Sequence, residues 1–340
     1  MILFGIKFAP LLVPLERRLQ TFAAAMWIIV LAFGGMVGAW GSIYLLLYTR
    51  YYPLVLLYYA WIYLDRNTCE TGGRRSEWMR NWAWWRYYRD YFPVSLVKTA
   101  DLPATHNYLF CIYPHGILSS GAFCNFASNA TNFRSVFPGL VSDVLTLSSH
   151  FWMPFSRELM HGLGALSASG ESITHVLTHS KGGRVLCLMV GGARESFKCK
   201  PGLYEIILKS RKGFVRIALK TGTPLVPVFT FGETDLFDQV PNPPGSWLLR
   251  LQEQIRRVVG VAPCIPIGRG FFQYSFGLIP RRHKLYTVVG APIEVPQVSV
   301  PSQELIDEYH RKFTDSLIQL FEDHKDKYVD NPKTTKLVIE

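Results

Sequence analysis

Most of the short signatures that mark catalytic or metal-binding chains are missing from this sequence. Its six cysteines, Cys69, Cys111, Cys124, Cys187, Cys199 and Cys264, form no CxxC pair and follow no regular spacing. That argues for reduced thiols facing the cytosol and against a disulfide framework or a zinc site. There is no GxSxG elbow, no GxxxxGK[ST] phosphate loop and no HExxH helix, which removes the commonest serine-hydrolase, nucleotide-triphosphate and metalloprotease readings. Internal repeats, Gly/Ser linkers and low-complexity tracts are also lacking. Acidic residues are scarce: 25 Asp and Glu stand against 36 Lys and Arg, for a net charge of +11 and a pI near 9.4. Such a surplus points to an anionic partner: a nucleic acid, a phospholipid surface or a phosphate-bearing ligand. What is abundant is apolar. Over 340 residues, 49% are hydrophobic and only 18% charged, which excludes disorder and leaves material for a core and a membrane attachment besides.

Charge is absent altogether from Phe22 to Thr49. A helix of about 20 apolar residues crosses the hydrocarbon core, whereas a signal peptide has an apolar region of about 7–15 followed by a cleavage site. A second apolar run, Tyr51 to Leu64, is too short to span comfortably and reads as a tilted return or re-entrant arm. Lys7, Arg17 and Arg18 precede the pair; Arg66, Arg74, Arg75, Arg80, Arg86 and Arg89 follow it. Positive flanks on both sides place both ends in the cytosol. The expectation is a cytosolic segment over 1–20, a transmembrane or re-entrant hairpin over 21–65 and an interfacial segment over 66–92. The competing reading of the first run is a buried helix of a soluble protein. In the third segment Trp78, Trp82, Trp85 and Tyr88 share one helical face among arginines, as suits the headgroup layer. The same stripe also suits an ordinary packed helix. The triplet Asn129-Ala130-Thr131 matches a glycosylation acceptor, which matters only if that stretch is lumenal.

After Tyr91 short apolar runs alternate with helical patterns. Residues 108–112, 185–190, 224–229 and 285–289 read as buried strands and 213–220 as a helix. Pro301-Ser302 opens another helix, with Leu305, Tyr309, Phe313, Leu317 and Phe321 on one face. The fold class is α/β, a mainly parallel sheet with flanking helices over 93–340.

Chemistry is concentrated where strands end. His115, in Tyr113-Pro114-His115-Gly116, follows the first expected strand, where reactive groups gather in such sheets. An imidazole there can act as a general base, or can merely be hydrogen-bonded structure. After the second strand, Gly191 and Gly192 would let backbone approach a ligand and Arg194 would contact phosphate. Lys212 and Arg216 lie in a third basic stretch, Arg211 to Glu233. His175 and His179 sit four apart without a further ligand, so no metal site is expected.

These blocks carry a resemblance. The membrane hairpin, Tyr91-Phe92-Pro93, Pro114-His115-Gly116, Gly191-Gly192-Ala193, Arg211 to Glu233, Gly268-Arg269-Gly270 and Thr287-Val288-Val289-Gly290 are similar, in order, to the family of type-2 diacylglycerol, monoacylglycerol and acyl-CoA wax-alcohol acyltransferases. Glu16 to Thr21, Asp235 to Gln239 and Gly270 to Gly277 look most like the monoacylglycerol branch. The resemblance implies a glycerolipid-acyltransferase-like fold, His115 as general base, and Pro114 and Gly116 shaping its turn. It implies acyl-CoA as co-substrate with no bound cofactor, and membrane lipids and a mono- or diacylglycerol as partners. Nucleic acid is not implied, and a homo-oligomer is compatible. Substrate contacts are expected from Tyr113, Pro114, Gly116, Gly191, Gly192, Arg194, Lys212, Arg216 and Glu233, with an oxyanion held by N–H groups of Gly116 or Gly192. The family pattern is His-Pro-His-Gly, and Tyr113 replaces its first histidine. That departure keeps open a catalytically weak scaffold of the endoplasmic reticulum or lipid droplet. More distant relatives pair their histidine with an aspartate five residues on, where this chain has Ser120. Glu195, as His115's catalytic partner, and Glu233 are therefore the candidates for a carboxylate that orients the ring.

Overall fold

A computed structural model describes residues 2–10 and 12–340. With no proline between Pro14 and Pro53, the chain forms one unbroken helix, α1 (Leu15–Tyr48). After an extended Thr49 it turns into α2 (Tyr52–Leu64), which carries its proline in the first turn, where a missing N–H costs nothing. At 1.5 Å per residue α1 is about 51 Å long and α2 about 20 Å. Among the described residues α1 alone is long and apolar enough to cross a membrane, and α2 is too short to cross by itself.

The first half of α1 belongs to the body, although it lies within the uncharged run. Ala24 and Trp27 are buried; Trp27 stacks on Phe123 at 4.1 Å and meets Trp85 edge-on at 5.3 Å. Beyond Ile28 the helix emerges with Val37, Trp40, Tyr44 and Leu47 exposed, and α2 exposes Leu54, Leu57 and Leu64. Twenty residues, 29–48, therefore project apolar surface over about 30 Å, the thickness of a bilayer core. α1 leans on a loop of the body at Gly38, where a Cβ would come within 2.3 Å of the Pro154 carbonyl oxygen. Past the end of α2, Asp65 is bound by Arg157 at 2.7 Å and Arg74 at 2.8 Å. Arg157 comes from α5 (Ser156–Gly162) and Arg74 from the loop that follows α2.

The aromatic stretch departs from expectation. Instead of one surface helix it forms α3 (Glu77–Arg80) and α4 (Ala83–Tyr91), broken at Asn81–Trp82. Trp85, Tyr88 and Tyr91 are buried, largely against α1, while Trp78 stays exposed. The C-terminal half of the stripe, Trp85 and Tyr88, is core packing, because α1 supplies an apolar partner that the local sequence does not announce.

Seven strands make the main sheet: β1 (Val94–Lys98), β2 (Tyr108–Tyr113), β3 (Val141–Thr146), β4 (Ala165–Ser167), β5 (Arg184–Met189), β6 (Leu225–Phe231) and β7 (Leu285–Val289). The order is β1-β7-β6-β2-β5-β3-β4. The five strands from β6 to β4 are parallel, and β7 pairs antiparallel with β6, so β7 and its parallel neighbour β1 run the other way. Every residue of β2 and β6 is buried, as expected of central strands covered on both faces. One face packs on α1 and α4. The other packs on α6 (Gly170–His179), α7 (Gly213–Thr221) and α8 (Gln303–Tyr328). α8 opens on a Ser302 side chain that accepts the Leu305 N–H at 3.2 Å, the cap its sequence announces. Strands β1, β3 and β4 lack a clean apolar run. β3 buries Asp143, which is held by Arg184 at 2.8 Å.

Candidate active site

The sheet order assembles the site. β2 lies between β5 and β6, all three parallel, so the segments leaving their C-terminal ends meet at one edge. β2 delivers the turn Pro114 to Ser119, β5 delivers Gly191 to Ser196, and β6 delivers Gly232 to Leu236. His115 sits in this turn, partly exposed.

Two buried carboxylates brace the turn. Glu195 accepts the His115 N–H at 2.5 Å on Oε1 and the Ile207 N–H at 2.9 Å on Oε2. Glu233 accepts the Ser120 N–H at 2.7 Å and the Gly121 N–H at 2.9 Å, again one per oxygen. Burial pushes both up to about 7, with the N–H donors pulling the other way. Neither carboxylate touches the imidazole ring, so the expected orienting role is replaced by one in which each fixes backbone. The glycines follow from this. At Gly116 (φ +58°) a Cβ would lie 2.7 Å from the Glu233 Cγ, and at Gly191 one would lie 1.9 Å from a Glu195 oxygen. Each leaves room for a carboxylate rather than for a ligand.

The ring is held by neutral groups. His115 Nδ1 lies 3.1 Å from the Gly116 carbonyl oxygen, 3.1 Å from Ser196 Oγ and 3.4 Å from Ser119 Oγ. A carbonyl can only accept, so this bond assigns the proton to Nδ1 and leaves the lone pair on Nε2. Desolvation holds the imidazole below its ordinary value, against the hydrogen bonds to Gly116 and its own backbone, so the ring is neutral at pH 7. Neutral, with one nitrogen committed, it has the state of a base waiting for a proton. The cysteines are not competing nucleophiles: burial raises Cys111, Cys124, Cys187 and Cys199 well above the usual thiol range, and the thiolate is the reactive form.

The other expected residues are less concentrated. Pro114 is buried beside His115. Tyr113 points into the core on the α7 and α8 face, its hydroxyl without a hydrogen-bond partner among the described residues. The Gly192 N–H is already given to the Met189 carbonyl at 3.1 Å, whereas the Gly116 N–H has no such partner among the described residues. Arg194 is largely exposed, 3.9 Å from Glu253. Lys212 pairs with Asp307 of α8 at 2.6 Å, and Arg216 is exposed on α7. The cation that does reach the site is Arg211, whose guanidinium donates to the Gly191 carbonyl at 3.0 Å. Ser196 and Ser119 escape a reading by motif, being one and four residues from Glu195 and His115; Arg211 heads the basic stretch already singled out, but spacing does not reveal its contact with Gly191.

Residues 44–340 match the diacylglycerol acyltransferase family. The chain is 47% identical over 323 residues to 2-acylglycerol O-acyltransferase 1 of Bos taurus, covering 95% of this chain and 96% of that one. It is 44% identical to diacylglycerol O-acyltransferase 2 of Dictyostelium discoideum (96% and 97% covered). It is 46% identical to the human acyl-CoA wax alcohol acyltransferase 1 (83% and 86% covered). End-to-end similarity of this order, together with the histidine turn at the sheet's edge, establishes that the chain belongs to the diacylglycerol acyltransferase family.

Proposed function

We propose that this protein is a membrane-bound, acyl-CoA-dependent O-acyltransferase that esterifies monoacylglycerol to diacylglycerol. The observation that carries the reading is the 47% identity, over nearly the whole of both chains, to a 2-acylglycerol O-acyltransferase. The site chemistry agrees. His115 Nε2 takes the proton of a glycerolipid hydroxyl as its oxygen attacks the thioester carbonyl; the C–O bond forms, the C–S bond breaks, and the proton passes from the imidazolium to the departing CoA thiolate. The Gly116 N–H stabilises the oxyanion formed on the way. Glu195 and Glu233 hold the turn, and Ser196 and the Gly116 carbonyl hold the ring. Because Tyr113 is packed in the core, its replacement of the family histidine takes no group from the ring of His115, which favours an enzyme over an inert scaffold.

The exposed apolar stretch 29–64 is the membrane hairpin in this reading, with both termini cytosolic, the endoplasmic reticulum as location and residues 93–340 as the catalytic domain. Between α2 and that domain, Trp78 is the aromatic left for the headgroup layer. Lipid-soluble acceptors then reach the site without leaving the bilayer. A diacylglycerol acceptor is the second reading, favoured by the Dictyostelium relative. Microsomes containing the protein, given labelled oleoyl-CoA with monoacylglycerol, diacylglycerol or a fatty alcohol, should form diacylglycerol fastest. No ester from any acceptor refutes the activity, and undiminished synthesis by His115→Ala refutes the base.

A further inference from the structure

Away from His115, the N-terminal segment, the start of α1 and the 269–282 loop enclose a cavity of about 820 Å³. Among the described residues six cationic side chains line it, Lys7, Arg17, Arg18, Arg269, Arg281 and Arg282, and no Asp or Glu does. Two guanidiniums are preset by stacking: Arg269 lies 4.3 Å over the Tyr274 ring and Arg282 4.3 Å over Tyr91. Arg282 is further held by Gln20 Oε1 at 2.6 Å. Its guanidinium is pulled down to about 10, first by burial and then by the like charge of Arg17. Cations crowded together repel one another, as Arg17 and Arg282 do here, and a multiply charged anion relieves that cost.

The rest of the lining is greasy. Leu12, Phe22, Phe271 and Phe272 belong to it and are exposed, an uncommon arrangement for a surface that meets only water. Basic and apolar walls in one cavity select an anion joined to a hydrocarbon chain. Fork-shaped guanidiniums suit phosphate oxygens. The cavity opens on α1, the helix whose later residues carry the apolar membrane stretch.

We propose that this cavity binds the phosphate group of an acyl lipid, with Arg17, Arg269, Arg281 and Arg282 on the phosphate and the chain along Leu12, Phe22 and Phe272. The binding needs no acyl transfer, so it stands or falls separately from the esterification reading. The phosphate can be that of a bilayer phospholipid or of acyl-CoA, and the test separates the two.

Full-length protein in dodecyl maltoside, an uncharged and phosphate-free detergent, would be titrated with dioctanoyl phosphatidic acid, decanoyl-CoA, dioctanoylglycerol and octanoate. The expected result is saturable binding of a phosphorylated amphiphile, weakened about tenfold or more in Arg17→Gln/Arg281→Gln and again by salt, as charge-assisted contacts require. The single variant Arg17→Gln, on an exposed side chain, should weaken it about threefold on the same grounds and guards against misfolding of the double variant. Phosphatidic acid binding that decanoyl-CoA does not displace identifies a bilayer lipid; displacement, or binding of decanoyl-CoA alone, identifies the acyl-CoA phosphates. The proposal is overturned if neither phosphorylated compound binds, if the folded variants bind them as wild type does, or if octanoate or dioctanoylglycerol binds as tightly.

Discussion

Replacing Glu195 by glutamine separates a brace from a ring-orienting carboxylate. The side chain keeps its shape but offers one carbonyl oxygen where two N–H groups, those of His115 and Ile207, now meet two different oxygens. One hydrogen bond to a charged group is lost and an NH₂ faces an N–H, at a cost of about 2–4 kcal/mol, or about 3–6 °C in Tm for a protein of this size. Because one of the two donors is the backbone of His115, kcat/KM should also fall by about 10- to 100-fold through misplacement of the ring. Thermal unfolding in detergent and the microsomal ester assay read the two effects. The pH dependence carries a sign. The folded-state value of about 7 lies above the ordinary 4.5, so the folded protein binds more protons in that window and wild-type stability declines as pH rises from 4.5 to 7. Glutamine lacks this titration, so the deficit of the variant should be larger at pH 5 than at pH 8. A variant with wild-type Tm whose activity drops on the order of 10⁴-fold, as when the carboxylate of a triad loses its charge, would refute the bracing role.

Gly116→Ala combines a left-handed residue, about 1–2 kcal/mol, with displacement of the Glu233 carboxylate from two N–H groups; its Tm should fall by more than that of Glu195→Gln, and an unchanged Tm would contradict the packing at Gly116. Ser196→Ala removes one neutral hydrogen bond to Nδ1, about 1 kcal/mol, and should lower kcat/KM about fivefold while moving Tm by only about 1–2 °C; full activity would show that the Gly116 carbonyl alone holds the ring. Since protonated imidazole cannot accept a proton and burial lowers the His115 value, kcat/KM should rise with pH through a midpoint below 6.5. A midpoint at 7 or above, in a plot over pH 5–8, would remove His115 as the base. Deletion of residues 29–64 should release the protein from carbonate-washed membranes, whereas retention would mean that the exposed apolar surface of α1 and α2 is not the anchor.

Much of the fold is legible in local pattern. The runs at 108–112 and 285–289, the helix at 213–220 and the Ser302 cap fall within a residue or two of the observed elements, because burial on both faces and capping depend on near neighbours. β3 is not legible, since Ser142 and Asp143 interrupt its apolar character and are tolerated only through partners such as Arg184, 41 positions along the chain from Asp143. The stripe of Trp85 and Tyr88 has the right periodicity for either a lipid surface or a core.

By itself the sequence determined the α/β class, the apolar N-terminal segment and His115 past the end of a strand, all of which rest on residue type and spacing; the family rests on the resemblance of its ordered residue blocks to known members. Tertiary structure alone decided what each polar group does: Glu195 reaches His115 across 80 residues and Glu233 reaches Ser120 across 113. The sheet order sets those meetings, and a buried carboxylate takes whichever donors the neighbouring loops leave unpaired. The same reason turned Tyr113 into the core, set Lys212 on Asp307, and gathered the arginines of the N-terminus and the 269–282 loop around one cavity.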